Sequence, residues 1–321
     1  MRLLRGQCCR DTAKTRWSHR KGRKATHHRW SISRKKVEQQ FASTKSRSTS
    51  ENHANFNKPL EDSTPQQFKE IARQRAAALF VDTRARGIIA AVRINPLGDL
   101  GMADLAAVVP ARPALIFLPK AESGVQIMLL AKEIERLEMV HGLPGGDIEI
   151  VPNTETAAGV VNLKEIVQAS ARVKSCLLGT EDLAADLLAE RSPEADELAY
   201  ARSRFLLECR ALGVEPIDAP YTYSDIEGCE REARRSRRLG YRSKSAVGSA
   251  HIAAIHQIFT PNSEEVASAR KIVNAFEAAR AEGRDRPLVD GLWIEPPAYL
   301  NAQRLLERAR QLEAVGHLFI S

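Results

Sequence analysis

From about Leu60 onward, short apolar runs alternate with longer stretches whose apolar positions recur every three to four residues. The short runs are rich in branched residues and read as buried strands; the longer ones read as amphipathic helices. Six strands are predicted: GIIAAVRIN (87–95), ALIFLPK (114–120), IEIVPNTET (148–156), SCLLG (175–179), VEPIDAP (214–220) and KSAVG (244–248). Residues 58–62 supply the tail end of a seventh. The first helix is expected in LEDSTPQQFKEIARQRAAALF, opened by Ser63 or Thr64 with Pro65 at its first position. MADLAAVV, VQIMLLAKEIERLEMVHG to Gly142, a segment ending near Val173, Pro193 to Leu212 stopped by Gly213, and Asp225 to Leu239 follow as helices, with two more at the C-terminus. Strands spaced by helices imply right-handed crossovers and a parallel sheet. The predicted fold is α/β, a (β/α)8 TIM-type barrel with C-terminal helices whose first strand is lacking or altered, because no apolar run ahead of residue 58 can supply it.

In such sheets, sites form where strands end and loops begin. Arg93, Lys120 with Glu122, Glu155, Asp182 and Asp218 close successive predicted strands, so one mouth is lined from five elements. Glu155 and Asp182 make a half-shell for a hard divalent cation such as Mg²⁺, which takes a few carboxylates plus water and substrate oxygens. Arg93 beside them suits a substrate carboxylate, since its planar fork binds two oxygens at once. Blander readings exist for each. Glu155 is also placed to be a first-turn helix carboxylate, and Asp182 with Thr180 to cap DLAADLLAE. Lys120 follows Pro119 and suits a structural turn, while Asp218, between Ile217 and Pro220, suits a backbone acceptor. His251 and His256 are five apart, which is not a metal spacing on a helix, and read as surface or core residues.

Charge divides the chain. Residues 1–58 carry 16 Lys or Arg against 3 acidic residues, whereas the remainder carries 32 against 37, so the net +8 belongs to the N-terminal segment. That segment, with RKGRK, HHR, SRKK and a Ser/Thr-rich stretch, lacks the apolar surface to offset chain entropy and is expected to be disordered. The domain reading is therefore a basic segment, 1–58, and a barrel domain with helical extension, 59–321. The basic segment fits a transit peptide in its arginines and few acids, although its lysines and histidines do not; a solvated tail and a nucleic-acid arm are the competing readings, and charge alone is thin support for the last. The five cysteines, Cys8, Cys9, Cys176, Cys209 and Cys229, form no CxxC pair, which fits a reducing compartment. With no apolar run of membrane-spanning length, a soluble protein without a membrane partner is expected; its location is cytoplasmic, or the mitochondrial matrix if the basic segment is a transit peptide.

AVRIN at 91–95, LPKAES at 118–123, ETAAGVVN at 155–162, LLGTEDLAADL at 177–187, the long motif at 198–228 and IFTPNSEEVASARKIVNAFEAA at 258–279, preceded by LEDSTPQQFKEIAR at 60–73, resemble the citrate lyase beta subunit-like group of the HpcH/HpaI aldolase superfamily. The resemblance covers roughly residues 60–315 in order. It implies a Mg²⁺-dependent carbon–carbon lyase, with Mn²⁺ as a substitute, that cleaves or forms a short β-hydroxyacyl-CoA such as citramalyl-, malyl- or citryl-CoA, giving an acyl-CoA and a 2-oxo acid. By that similarity Glu155 and Asp182 bind the metal, Arg93 holds the substrate's carboxylate side, Glu61 and Asp62 lie near the site with Lys120 and Asp218, and the assembly is a trimer or hexamer.

The chain also departs from the group. Its first strand and most of its second are replaced by the basic segment, and Ser243, Lys244, Val247, Gly248 and Ser249 stand where the group has Gly-Lys and Ile-His-Pro. In LWIEPP, Glu295 stands where the group offers an Asp to the adjacent subunit, so a proton delivered to the enolate comes from a side chain one methylene longer. The alternative expectation is a truncated, catalytically impaired homologue that acts as a binding or assembly partner.

Overall fold

The computed structural model describes residues 56–60, 64–85 and 89–314. Residues 1–55, on which the disordered-segment reading rests, and Glu61 and Asp62 lie outside the described residues.

Seven parallel strands form one sheet in chain order: β1 (Phe56–Pro59), β2 (Ala90–Arg93), β3 (Leu115–Leu118), β4 (Glu149–Thr154), β5 (Ser175–Leu178), β6 (Glu215–Asp218) and β7 (Ser243–Lys244). Between them run α1 (Lys69–Ala85), α2 (Asp99–Val108), α3 (Gly124–Val140), the short α4 (Ala157–Val161) and α5 (Leu163–Gln168), α6 (Thr180–Asp186), α7 (Ala199–Leu212) and α8 (Ile226–Leu239). Three more helices follow: α9 (Ile252–Phe259), α10 (Ser263–Ala281) and α11 (Pro296–Ala314). A strand order that follows the sequence, all parallel with helical crossovers, is a partial TIM-type barrel; among the described residues no eighth strand pairs with this sheet.

Period-two alternation gives each strand two faces of different character. Ala91, Phe117, Val151 and Leu177 pack with one another, joined by Leu115 and Ile217, and no helix contributes to that cluster. Their chain neighbours Val92, Ile116, Leu118, Ile150, Cys176 and Leu178 pack instead with helical residues such as Leu130, Ile134, Ile166 and Phe205. The first set therefore faces the inside of the curl and the second the helical layer. A separate small core, Phe276, Val289 and Ile294, joins α10 to a hairpin of β8 (Leu288–Val289) and β9 (Leu292–Trp293), and Tyr299 of α11 stacks on Phe276 at 4.4 Å.

Every predicted strand run overlaps an observed strand, and the differences have local causes. The seventh strand begins at Phe56 rather than Lys58, because pairing to β2 (Phe56 with Ala90 through Pro59 with Arg93) supplies order that FNKP does not advertise as apolar content. The helix expected to reach Val173 ends at Gln168; Val173 instead forms a parallel bridge with Ile150. The helix expected from Pro193 starts at Ala199, since Ser192 and Arg191 both engage Glu197 and fold the preceding residues into a turn. Of KSAVG only Lys244 lies in a strand, β7 beginning one residue earlier at Ser243: after Ser245 N–H donates to the Asp218 carbonyl at 2.9 Å the chain leaves the sheet, and Val247 is exposed. The C-terminal region holds three helices and a hairpin instead of two helices, because Pro261 separates α9 from α10 and Gly291 turns the hairpin at φ +78°.

Candidate active site

The inside face, read two residues at a time, leads directly to the polar residues at the strand ends. Arg93 lies two positions beyond Ala91 and is half-buried at the last residue of β2. Asn153 lies two beyond Val151, and Glu155 continues the same alternation past the end of β4. Glu155 is 4% exposed. Its carboxylate is fixed from β3, where Lys120 N–H donates to Oε1 at 2.8 Å, and it lies against β5 at Gly179, where an added Cβ would sit 2.6 Å from both Glu155 Cβ and Oε2. That glycine is what lets a carboxylate pass between two strand ends.

Lys120 has a left-handed backbone, φ +46°, a conformation that side chains other than glycine seldom adopt. It is held there by its own amide on Glu155, by Gln126 Nε2 donating to its carbonyl at 3.4 Å, and by the next amide, Ala121 N–H, on the Asn153 carbonyl at 3.0 Å. Gln126 and Ser123 form the capping box of α3, so the helix start and the lysine turn fix one another. The Lys120 ammonium reaches Asp182 Oδ1 at 3.4 Å, both side chains being about half exposed. Asp182 sits in the first turn of α6, just after β5. One residue thus touches both carboxylates.

The capping alternatives are not realised. Thr156, not Glu155, caps α4, its hydroxyl accepting from Gly159 N–H at 3.1 Å. The residue before α6 is Gly179, and no side chain caps that helix.

Among the described residues no group of three or more His, Cys, Asp or Glu side chains converges on a metal. A two-carboxylate set is nevertheless what Mg²⁺ uses when water and substrate oxygens complete its octahedron. Around the same strand ends, Asn153 Oδ1, Thr154 Oγ1 and Thr180 Oγ1 are buried without a hydrogen-bond partner among the described residues. Buried polar atoms are normally satisfied, so these three mark polar surroundings at the ends of β4 and β5. Donor set and surroundings fit a hydrated divalent cation held by Glu155 and Asp182.

The structure does not bring Asp218 to this cluster. It neighbours Ile217 and so faces the helical layer, where it is fully buried. Arg202 of α7 reaches it through two nitrogens at 2.8 to 3.2 Å, Lys244 Nζ at 2.8 Å and Ser236 Oγ at 2.6 Å. Burial alone would raise its carboxyl, but the Lys244 and Arg202 charges overcome this and hold it below the usual carboxylate range. Asp218 is thereby a structural ion, not a substrate contact. Glu295, just ahead of α11, is exposed and pairs with Arg286; none of its hydrogen bonds reaches the strand-end cluster within the chain. Glu122 is exposed and its carbonyl accepts from Asn162 Nδ2 at 2.9 Å, tying the β3 end to α4. His251 is buried and His256 half-buried.

A second buried network stands behind Arg93, built from Lys69, Arg73 and Asn95 of the motifs at 60–73 and 91–95 together with Asp104. Leu60 N–H donates to the Arg93 carbonyl at 2.8 Å. The Leu60 carbonyl in turn accepts from Lys69 Nζ at 2.9 Å and Asn95 Nδ2 at 3.1 Å. Asp104 holds Asn95 through both its amide and its side chain, and Arg73 holds Asp104 at 2.7 Å. All four polar side chains are buried. The sequence signal was a polar residue, Asn95, closing an apolar run, with its side-chain partners 9 and 26 residues away.

Arg93 at the end of β2 and the carboxylates of Glu155 and Asp182 after β4 and β5 are the donor types found in enzymes that use a divalent cation on an anionic substrate. The chain belongs to the HpcH/HpaI aldolase/citrate lyase family, whose model matches residues 59–249. It is 33% identical over 252 residues to citrate lyase subunit beta of Escherichia coli K12, covering 78% of this chain and 83% of that protein. It is 26% identical to the mitochondrial citramalyl-CoA lyase of Rattus norvegicus, over 79% and 78% of the two chains. Among solved structures, the CitE protein of Mycobacterium tuberculosis in complex with magnesium, acetoacetate and coenzyme A superposes with a TM-score of 0.63 at 28% identity, covering 80% of this chain and 90% of that one. Membership of this family makes the chain a metal-dependent carbon–carbon lyase. No helix among the described residues is long and apolar enough to cross a membrane.

Proposed function

We propose that the protein cleaves or forms the carbon–carbon bond of a short β-hydroxyacyl-CoA of the citramalyl-, malyl- or citryl-CoA type, exchanging it with an acyl-CoA and a 2-oxo acid. The observation that carries this reading is the Glu155–Lys120–Asp182 cluster on the strand ends of the face that also presents Arg93. The names of its relatives support the substrate class.

Glu155 and Asp182 would hold Mg²⁺, or Mn²⁺ in its place. When bound, the cation acts as a Lewis acid on the oxygens where charge builds as the bond breaks. Arg93 presents two parallel N–H donors to the substrate carboxylate. Its backbone is locked by the Leu60 amide and the Lys69–Asn95–Asp104–Arg73 network, so the guanidinium starts from a fixed strand end, and a rigid donor stabilises developing charge without reorganising. Cleavage gives up the β-hydroxyl proton to solvent as the new carbonyl forms and leaves an enolate that takes one proton at carbon, so the two transfers balance. Glu295 is the proposed donor, brought by a neighbouring copy in a trimer or hexamer and oriented by Arg286. Glu61 and Asp62 are proposed to border the same mouth. The reaction would run in the cytoplasm, or in the mitochondrial matrix if residues 1–58 act as a transit peptide.

The test is calorimetric titration with Mg²⁺, with and without pyruvate or oxaloacetate, for the wild type and Asp182→Asn. Binding that tightens with the oxo acid and is lost in the variant is expected; equal binding by both sinks the assignment. One observation favours a second reading, an impaired homologue serving as a binding partner: the sheet has seven strands among the described residues. A folded protein that binds no cation would put that reading first.

A further inference from the structure

We propose that Lys120 is the internal counter-ion of the metal site: without metal its ammonium neutralises Asp182, and a divalent cation must displace it to bind. The inference rests on the reading of Glu155 and Asp182 as metal ligands. It concerns a step that precedes substrate, the loading of the site.

Three features of Lys120 lead to it. Its amide lies on Glu155 at 2.8 Å and its ammonium reaches Asp182 at 3.4 Å, so one residue contacts both carboxylates. Its backbone is held in a left-handed conformation, which residues with a Cβ seldom adopt, by contacts to Glu155, Gln126 and Asn153. The side chain, by contrast, is half exposed, so the ammonium can swing into water while the amide stays on Glu155. A lysine suits this use better than an arginine, because it is a compact charge on a flexible stem rather than a rigid fork.

Two carboxylates within reach of one residue repel, and in each state of the site a positive charge beside them offsets that repulsion. The protein carries such a charge on a tether. Asp182 is exposed enough to exchange it for Mg²⁺; Glu155, buried and pinned by an amide, keeps its place through the exchange. Lys120 is accordingly a positioning residue.

The experiment titrates Mg²⁺ by calorimetry into wild type, Lys120→Met and Lys120→Arg, with thermal melts of each protein in EDTA and in saturating Mg²⁺. Removing a competing half-exposed ion pair should tighten Mg²⁺ up to about fivefold in Lys120→Met, with Lys120→Arg near wild type. The methionine variant should melt below wild type in EDTA and level with it in Mg²⁺. A purely structural lysine would lower the melting temperature in both conditions and leave affinity unchanged, and that result, or weaker Mg²⁺ binding in Lys120→Met, overturns the proposal. Binding by Lys120→Met where the wild type binds none supports it; absence of binding in both overturns it together with the metal-site reading. Equal binding by all three proteins removes the counter-ion alone. Should the methionine variant fail to fold, Lys120→Gln carries the same comparison.

Discussion

Glu155 and Asp182 sit in different surroundings, and those surroundings divide the work between them. Glu155 is buried, held by a backbone amide and wedged beside a glycine; Asp182 is half exposed and pairs with the half-exposed Lys120 ammonium. Glutamine at position 155 can still accept from Lys120 N–H, so Glu155→Gln is expected to keep its melting temperature within about 2 °C while losing Mg²⁺ affinity at least tenfold, because a neutral amide oxygen is a poor substitute for a carboxylate on a hard cation. Calorimetry beside a melt separates the two effects, and a variant that loses both would mean the residue is structural. At Arg93 the fork matters as well as the charge. Arg93→Lys keeps the charge and loses the paired donors, and kcat/KM for the acyl-CoA is expected to fall about 100-fold; a change under threefold would remove Arg93 from the substrate.

At the scale of elements, charge clusters tie strands to helices. Arg202, Asp218, Glu232 and Lys244 form a buried, formally neutral group joining β6, α7, α8 and β7, with Ser236 bridging and the Tyr241 hydroxyl donating to the Arg202 carbonyl at 2.8 Å. Lys244→Met leaves an uncompensated carboxylate in that interior and should cost about 3–5 kcal/mol in urea unfolding. A loss below 1 kcal/mol would mean that water reaches the cluster. Acid acts on the same elements. Glu197, which ties the turn ahead of α7 to Arg191 and Ser192, is depressed from 4.5 to about 2: burial pushes it up, and hydrogen bonds from Ser192, its own amide and Arg191 more than reverse that. A depressed carboxyl contributes stability above its unfolded pKa and loses it as pH falls towards the folded value. Glu197→Gln should therefore flatten the stability profile between pH 4.5 and about 2, and a wild-type profile already flat across that window would contradict the assignment. Asp218 acts in the same direction.

The whole molecule sets a mildly acidic body apart from a basic N-terminal segment. It also leaves Leu288, Leu292, Trp293 and Leu300 exposed around the C-terminal hairpin and the start of α11. Apolar side chains gathered in that way are costly to leave in water, and the proposed trimer or hexamer would cover them. Light scattering should therefore give a mass well above 35.5 kDa, and Leu292→Asp with Trp293→Asp should return it to that value. A monomer at every concentration would dispose of the assembly and, with it, of Glu295 as a donor between copies.

The sequence by itself determined the element order and the strand-end residues, because both are local: period-two and period-3.6 patterns and the position of a polar residue after an apolar run need no distant partner. Element limits were legible to within a few residues, except where contacts at a distance decided them, as for the strand at Phe56 and the helix at Ala199. Which side of a strand faces inward was not legible. Val151, Asn153 and Glu155 share a face, and Ile217 and Asp218 take opposite ones, but only the packed sheet shows that Ile217 joins the inside layer and Asp218 the helices. The tertiary structure also decided the roles of like-looking charges. Lys120 joins two carboxylates from β4 and α6, Lys244 disappears into a buried cluster, and Lys69 braces the backbone beside Arg93. A lysine's function depends on what the fold places within reach of its ammonium, and that information lies in residues tens of positions away.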